Sequence, residues 1–229
     1  MLKGGSNLSV GRTGAGKSTI VLSLLRLIEP ANGKICVDGV DVTSVGLHDL
    51  RSRVSMLPQD CVLFAGSLRF NLDPLEEASD QELWSCLSLS GLQLPLQLQV
   101  SEGGSNLSAG QRQLLCLARA LLRKRRILLL DEATAAVDVQ TDQHIQATIR
   151  SEFSDATVIT IAHRLNTILD SDRVLVMDAG RVVECDSPQV LLQDSSSVFY
   201  SLARDAGLVG LDDAPPDVEG QADAQTQEN

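Results

Sequence analysis

Several features that would each mark a class of protein are missing from this sequence. No apolar run approaches the roughly 18 residues that a membrane-spanning helix needs. Positive charge is scarce: 19 Lys and Arg stand against 30 Asp and Glu in 229 residues, a net charge of −11. That balance is a poor basis for gripping nucleic acid through a broad basic face. There is no CxxC pair. The five cysteines (Cys36, Cys61, Cys86, Cys116 and Cys185) are odd in number and widely spaced. They read as free thiols of a reducing compartment, filling small core spaces rather than holding metal. The opening MLKGGSNLSV has one Lys and no apolar centre, unlike a secretory signal.

What is present is an ordinary globular composition, 43% apolar, long enough for one large domain. Much of the negative charge is local. Residues 211–229 carry six acidic side chains and no Lys or Arg, so the segment 206–229 reads as an acidic disordered tail. Ile127 to Leu130 is continuously apolar, as a strand buried on both faces should be, and Val158 to Ala162 is similar. Asp38-Gly39 and Asp178-Ala179-Gly180 sit between short β-type runs and predict two hairpins. Thr19 to Ile28 predicts a helix ending before Pro30. Ser79-x-x-Glu82 and Ser108-x-x-Gln111 have capping-box form and predict helix starts. The second helix carries an apolar stripe of Leu114, Leu117, Ala118 and Leu121, with Arg112, Arg119 and Arg123 outside it. Strands alternating with helices indicate an α/β fold, interrupted by a helical subdomain at about 75–122. The hexapeptide GGSNLS occurs twice, at 4–9 and 103–108. It is too short to be a structural repeat.

The chemistry concentrates in Gly11-Arg12-Thr13-Gly14-Ala15-Gly16-Lys17-Ser18, a full G-x-x-x-x-G-K-[ST] match. The glycines let backbone N–H groups curl around phosphate oxygens with no Cβ in the way. Lys17 supplies a mobile point charge to the β- and γ-phosphates, Ser18 a hydroxyl for Mg²⁺, and Thr19 support for the α-phosphate. The following helix aims its positive end at the same anion. A second element points the same way: Ile127 to Leu130 runs into Asp131-Glu132. An acid at the carboxyl end of a buried strand suits a metal bound to nucleotide, and the next acid suits a water-activating base.

Further along, the residues resemble the ATP-binding cassette (ABC) family. Leu107-Ser108-Ala109-Gly110-Gln111 is similar to its signature motif, and RILLLDEATAAVD at 126–138 to its Walker B strand and D-loop, with Asp138 as the D-loop acid. Gln59 matches the Q-loop and His163 the switch histidine. LFAGSLRFNLDP at 63–74 and TIAHRLNTILDSDRVLVMDAGRVVE at 160–184 resemble the C subfamily, the multidrug-resistance-associated type of exporter, and its second cassette. The resemblance covers about residues 9–203.

It implies a P-loop NTPase core with a mostly parallel sheet, a small antiparallel β part and an inserted helical subdomain, together a nucleotide-binding domain over 1–205. It implies ATP and Mg²⁺ as cofactors. Gly11, Thr13, Gly14, Ala15, Gly16, Lys17, Ser18 and Thr19 would hold the nucleotide, with Ser108, Gly110 and Gln111 offered to the nucleotide of an opposing cassette. Ser18, Gln59 and Asp131 would serve the metal, and Glu132, His163 and Gln59 the catalysis. The implied partners are a second cassette in a head-to-tail pair and transmembrane domains, with no nucleic acid. The implied setting is the cytoplasmic face of a membrane, or the cytosol if the chain is expressed alone. The implied work is ATP-driven export of an amphipathic organic anion.

Two departures qualify that expectation. The first aromatic residue is Phe64, so no ring precedes the phosphate loop to stack on adenine, a contact worth roughly 1–3 kcal/mol for bases. Asn7-Leu8-Ser9-Val10 is half polar where a central parallel strand should be apolar. The chain therefore reads as truncated just before the loop, and a truncated, non-catalytic cassette that occupies a partner is the alternative. A soluble ABC ATPase of the DNA-repair or translation type ranks below both, since neither a coiled-coil insert nor a tandem cassette is present.

Overall fold

A computed structural model describes residues 5–11, 14–131, 137–161 and 168–209, with the backbone alone for 6–10. In chain order the elements are β1 (Gly5–Gly11), α1 (Lys17–Leu24), β2 (Cys36–Val37), β3 (Val40–Asp41), α2 (Leu47–Ser52), β4 (Val54–Leu57), β5 (Gly66–Ser67) and α3 (Leu68–Leu72). There follow α4 (Asp80–Ser90), β6 (Gln99–Val100), α5 (Ala109–Arg123), β7 (Ile127–Asp131), α6 (Val139–Glu152) and β8 (Thr157–Ile161). The last elements are β9 (Arg173–Asp178), β10 (Arg181–Asp186), α7 (Pro188–Gln193) and α8 (Val198–Asp205). The acidic tail expected from 206 onward falls, past Val209, outside the described residues.

Six strands form one sheet in the order β10-β9-β1-β8-β7-β4. All neighbours in it are parallel except β10, which returns antiparallel to β9. Two small antiparallel sheets, β2–β3 and β5–β6, stand apart. This is the expected architecture. The half-polar segment Asn7–Val10 does form a strand. It lies between β8 and β9 and is paired on both sides, so backbone hydrogen bonds from two neighbours outweigh a weak apolar pattern.

β7 shows why its sequence is continuously apolar. Leu128 and Leu130 belong to the main core with Leu57, Leu83, Leu87, Leu115 and Ile145. Leu129 points the other way, against Val21, Ile159 and Ile161 beneath α1. Successive side chains on a strand face opposite sides, so both faces need apolar cover. Each fully buried Leu contributes roughly 1.5–3 kcal/mol. A third cluster, Ile168, Val174, Val176, Leu191 and Phe199, seats α7 and α8.

Both hairpins form as expected. Asp38 and Gly39 take φ of 49° and 82°, and Ala179 and Gly180 take 44° and 77°, the paired positive φ of a tight two-residue turn. Both capping boxes are complete, at Ser79–Glu82 and Ser108–Gln111. Three expectations need correction. α1 stops at Leu24, not Ile28, because Arg26 turns to φ 50°. Its guanidinium then bonds the carbonyls of Val42 and Val45 at 3.1 and 2.9 Å. α5 is buried over far more than one stripe: Gln113, Leu115, Cys116, Leu117, Ala118, Ala120 and Leu121 are all inside. Helix α4 covers it from one side and strand β4 from another. Finally, the cysteines are not all free, because Cys61 and Cys116 form a disulfide, whereas Cys36, Cys86 and Cys185 remain thiols.

Candidate nucleotide site

The sheet's register brings the distant motifs to one edge. Asp131 at the end of β7 pairs with Ile161 of β8, and Ile161 pairs with Ser9 of β1. Gly11, which opens the phosphate loop, lies two residues beyond Ser9. Gln59 follows the carboxyl end of β4 by two residues. In an open α/β sheet the carboxyl ends of the strands are where ligands bind. Thr13, Glu132 and His163, also assigned to this edge from sequence, lie outside the described residues.

The loop itself is built from glycine conformations. Gly14 and Gly16 have φ of 80° and 99°, a region that side chains disfavour. A Cβ on Gly14, which is exposed, would meet nothing within 4 Å. Gly11, at φ 153°, has no such room: a Cβ there would strike the carbonyl oxygen of Met177 in β9. Ala15 accepts a hydrogen bond from the Gly180 N–H at 3.1 Å, tying the loop to the β9–β10 turn. Gly16 opens α1 without a side-chain cap. Lys17 is 8% exposed and donates from Nζ to the Gly11 carbonyl at 2.9 Å, across the mouth of the loop. Ser18 and Thr19 are exposed.

The Ser18 hydroxyl donates to Asp131 Oδ1 at 3.5 Å. Residues 113 apart in sequence therefore present oxygens side by side. A hydroxyl and one carboxylate beside an open anion cradle fit Mg²⁺, a hard cation that is held by one or two carboxylates plus substrate phosphates. Among the described residues no group of three or more His, Cys, Asp or Glu could form a closed metal cage, which such a site does not need.

Ser108 lies at the exposed start of α5. Its Oγ accepts from the Gln111 N–H at 3.1 Å, and Gln111 Oε1 accepts from the Ser108 N–H at 2.9 Å. A Cβ on Gly110 would sit 3.5–3.7 Å from Thr141 and Asp138, an ordinary contact, so the starts of α5 and α6 abut. Asp138 caps α6, accepting from Thr141 N–H at 2.9 Å and from its hydroxyl at 2.7 Å. These bonds hold the Asp138 carboxyl below its ordinary range. Two helix N-termini, each with positive dipole character, thus share one surface.

Sequence reasoning missed the residues that position Gln59. Gln113 Nε2 donates to the Gln59 carbonyl at 2.7 Å. Arg119, read as lying outside the helix stripe, is largely buried and donates to the carbonyls of Val62 and Asn71 at 2.8 and 2.6 Å. Burial lowers its pKa, with Arg123 nearby acting in the same direction. No local pattern announces these contacts. Two polar residues six apart, Gln113 and Arg119 on either side of Cys116, were the available signal.

A family model described as ABC transporter matches residues 3–135, and the chain belongs to that family. More narrowly it is a nucleotide-binding domain of the C subfamily. It is 58% identical over 215 residues to ATP-binding cassette sub-family C member 2 of Rattus norvegicus, covering 90% of this chain and 14% of that protein. It is 57% identical over 206 residues to the Homo sapiens member 2, covering 87% and 13%. The chain therefore spans about one-seventh of the length of these curated relatives. A bacterial Atm1-family ABC exporter solved with ATP bound superposes with a TM-score of 0.82 at 38% identity, covering 89% of this chain and 37% of that one.

Proposed function

We propose that this chain is the ATP-binding and ATP-hydrolysing cassette of a C-subfamily exporter of amphipathic organic anions. The observation that carries the reading is the Ser18–Asp131 contact at the carboxyl edge of the sheet, beside the Lys17 loop. Gly11, Thr13, Gly14, Ala15, Gly16, Lys17, Ser18 and Thr19 hold the triphosphate. Mg²⁺, when bound, would neutralise charge on the phosphate oxygens; Ser18 and Asp131 would hold it, with Gln59 as a further oxygen. Glu132 is the base that would orient the attacking water and accept its proton, and His163 is the residue assigned to the γ-phosphate. The water oxygen bonds to the γ-phosphorus as the β–γ bridging bond breaks, leaving ADP and phosphate.

Ser108, Gly110 and Gln111 address the nucleotide of a second cassette in a head-to-tail pair. A ligand that touches both halves only when they are closed stabilises the closed state by its differential affinity. The transmembrane partner has a surface to engage. A groove of about 520 Å³ beside the Gln59 segment is lined by Val62, Phe64, Phe70 and Leu72, with Arg119 and Arg123. Val62 and Phe64 are 63% and 59% exposed, an apolar patch of the kind that marks a protein contact. Such a partner places the cassette at the cytoplasmic face of a membrane. Among the described residues no helix is long and apolar enough to cross one.

Glu132→Gln tests the reading. It should abolish phosphate release while ATP binding, measured by calorimetry, persists. Equal turnover in both forms would overturn the assignment of Glu132. Failure of the wild type to bind at millimolar ATP would favour the non-catalytic alternative.

A further inference from the structure

The cysteines have no role in the chemistry above, yet two of them meet at its margin. Cys61 lies two residues beyond Gln59, and Cys116 lies on α5 eight residues beyond Ser108. Their Cα atoms are 6.2 Å apart and the sulfurs are joined. α5 grips the same short segment at three successive positions. Gln113 bonds the Gln59 carbonyl, Cys116 bonds Cys61, and Arg119 bonds the Val62 carbonyl. Residues three apart on a helix share a face, so the three form one stripe. Two of the three links are hydrogen bonds that can open independently; only the middle one is covalent.

The two sulfurs are unequal in access. Cys61 is partly exposed, and Cys116 is 3% exposed. Arg119 Nη1 lies 4.0 Å from the Cys61 sulfur. Cα atoms 6.2 Å apart fall within the span a disulfide can bridge, so the pair can close with little backbone movement. Disulfides in a reducing compartment are characteristically transient and redox-sensing.

We infer that Cys61 and Cys116 are a reversible thiol–disulfide pair, oxidised by a low-molecular-weight disulfide of the glutathione type, that locks the Gln59 segment to helix α5. Cys61 thiolate attacks the small disulfide, forming a mixed disulfide and releasing one small thiol. Cys116 then attacks the Cys61 sulfur and displaces the second. Two electrons pass from the protein to the small disulfide, and the two cysteine protons end on the two small thiols. The consequence for turnover rests on the function proposed above: the lock joins the segment that carries Gln59, assigned to the metal, to the helix assigned to the opposing nucleotide.

The test uses the full chain equilibrated in glutathione redox buffers, with disulfide content read by peptide mass. Amide hydrogen exchange is followed over residues 58–64. Oxidised wild type should exchange there at least tenfold more slowly than reduced, reversibly, while Cys61→Ser and Cys116→Ala show no redox dependence. Exchange equal in the two states, or glutathione added to Cys61 with no intramolecular bond, would overturn the inference. The exposed-site variant Cys61→Ser keeps the comparison valid if Cys116→Ala fails to fold. ATP binding is measured on the same samples. If binding is absent in both states, the functional reading fails, while the exchange result still decides the switch.

Discussion

Ser108 carries two roles that a pair of substitutions can separate. In the fold it caps α5, and in the proposed function it faces the γ-phosphate of an opposing cassette. Ser108→Ala removes the acceptor for the Gln111 N–H and half of the capping box. An N-cap lost to Ala costs about 1 kcal/mol, which for a domain of this size lowers Tm by about 2–4 °C. Ser108→Asp keeps the cap, since Asp ranks with Ser at this position, and adds an anion at a positive helix end. Its stability should equal or slightly exceed that of the wild type. Toward phosphate the effect reverses. A carboxylate about 4 Å from a phosphate charge costs about 4 kcal/mol at an effective dielectric constant near 20, close to a thousandfold in affinity. The assay is ATP-driven association by analytical ultracentrifugation in a Glu132→Gln background, beside thermal unfolding of each single variant. Ser108→Asp should unfold like the wild type and fail to associate. Undiminished association would refute the placement of α5 against phosphate. An unchanged Tm in Ser108→Ala would refute the capping argument.

Two further outcomes test the fold and its electrostatics. Phe199 is fully buried among Ile168, Val174, Val176 and Leu191; Phe199→Ala should cost about 3–5 kcal/mol, or roughly 6–20 °C in Tm, read by calorimetry. The Asp138 carboxyl is held below its ordinary range by Thr141. A group with a depressed folded pKa contributes stability that is complete above its unfolded value and lost as pH falls through the folded one. Protection of the Thr141 amide should hold from pH 7 to 5 and decline below about 4, whereas Asp138→Asn should flatten that pH dependence.

The parts legible in the sequence are those settled within a few residues. The capping boxes at Ser79 and Ser108 and the turns at Asp38-Gly39 and Ala179-Gly180 use short-range hydrogen bonds and allowed φ, and they form where expected. The Lys17 loop and Asp131 could be picked as candidates from sequence because a phosphate cradle would need glycines and one strand-end acid, and the structure brings Ser18 and Asp131 together. Features set by tertiary context were not. β1 is held by β8 and β9 rather than by its own pattern. The end of α1 follows from what Arg26 finds on Val42 and Val45. The Cys61–Cys116 bond and the Gln113 and Arg119 contacts join segments some 50–60 residues apart, which no spacing rule reveals.

Over the five residues described in both copies, the repeated segment adopts two shapes. In its first copy residues 5–9 are extended within the sheet. In its second, Gly103 and Gly104 turn through positive φ, Asn106 bonds back to Ser101 and Gln99, and Ser108 starts a helix. These five identical residues therefore do not fix one conformation by themselves. Excised as a free peptide, the segment should populate neither form.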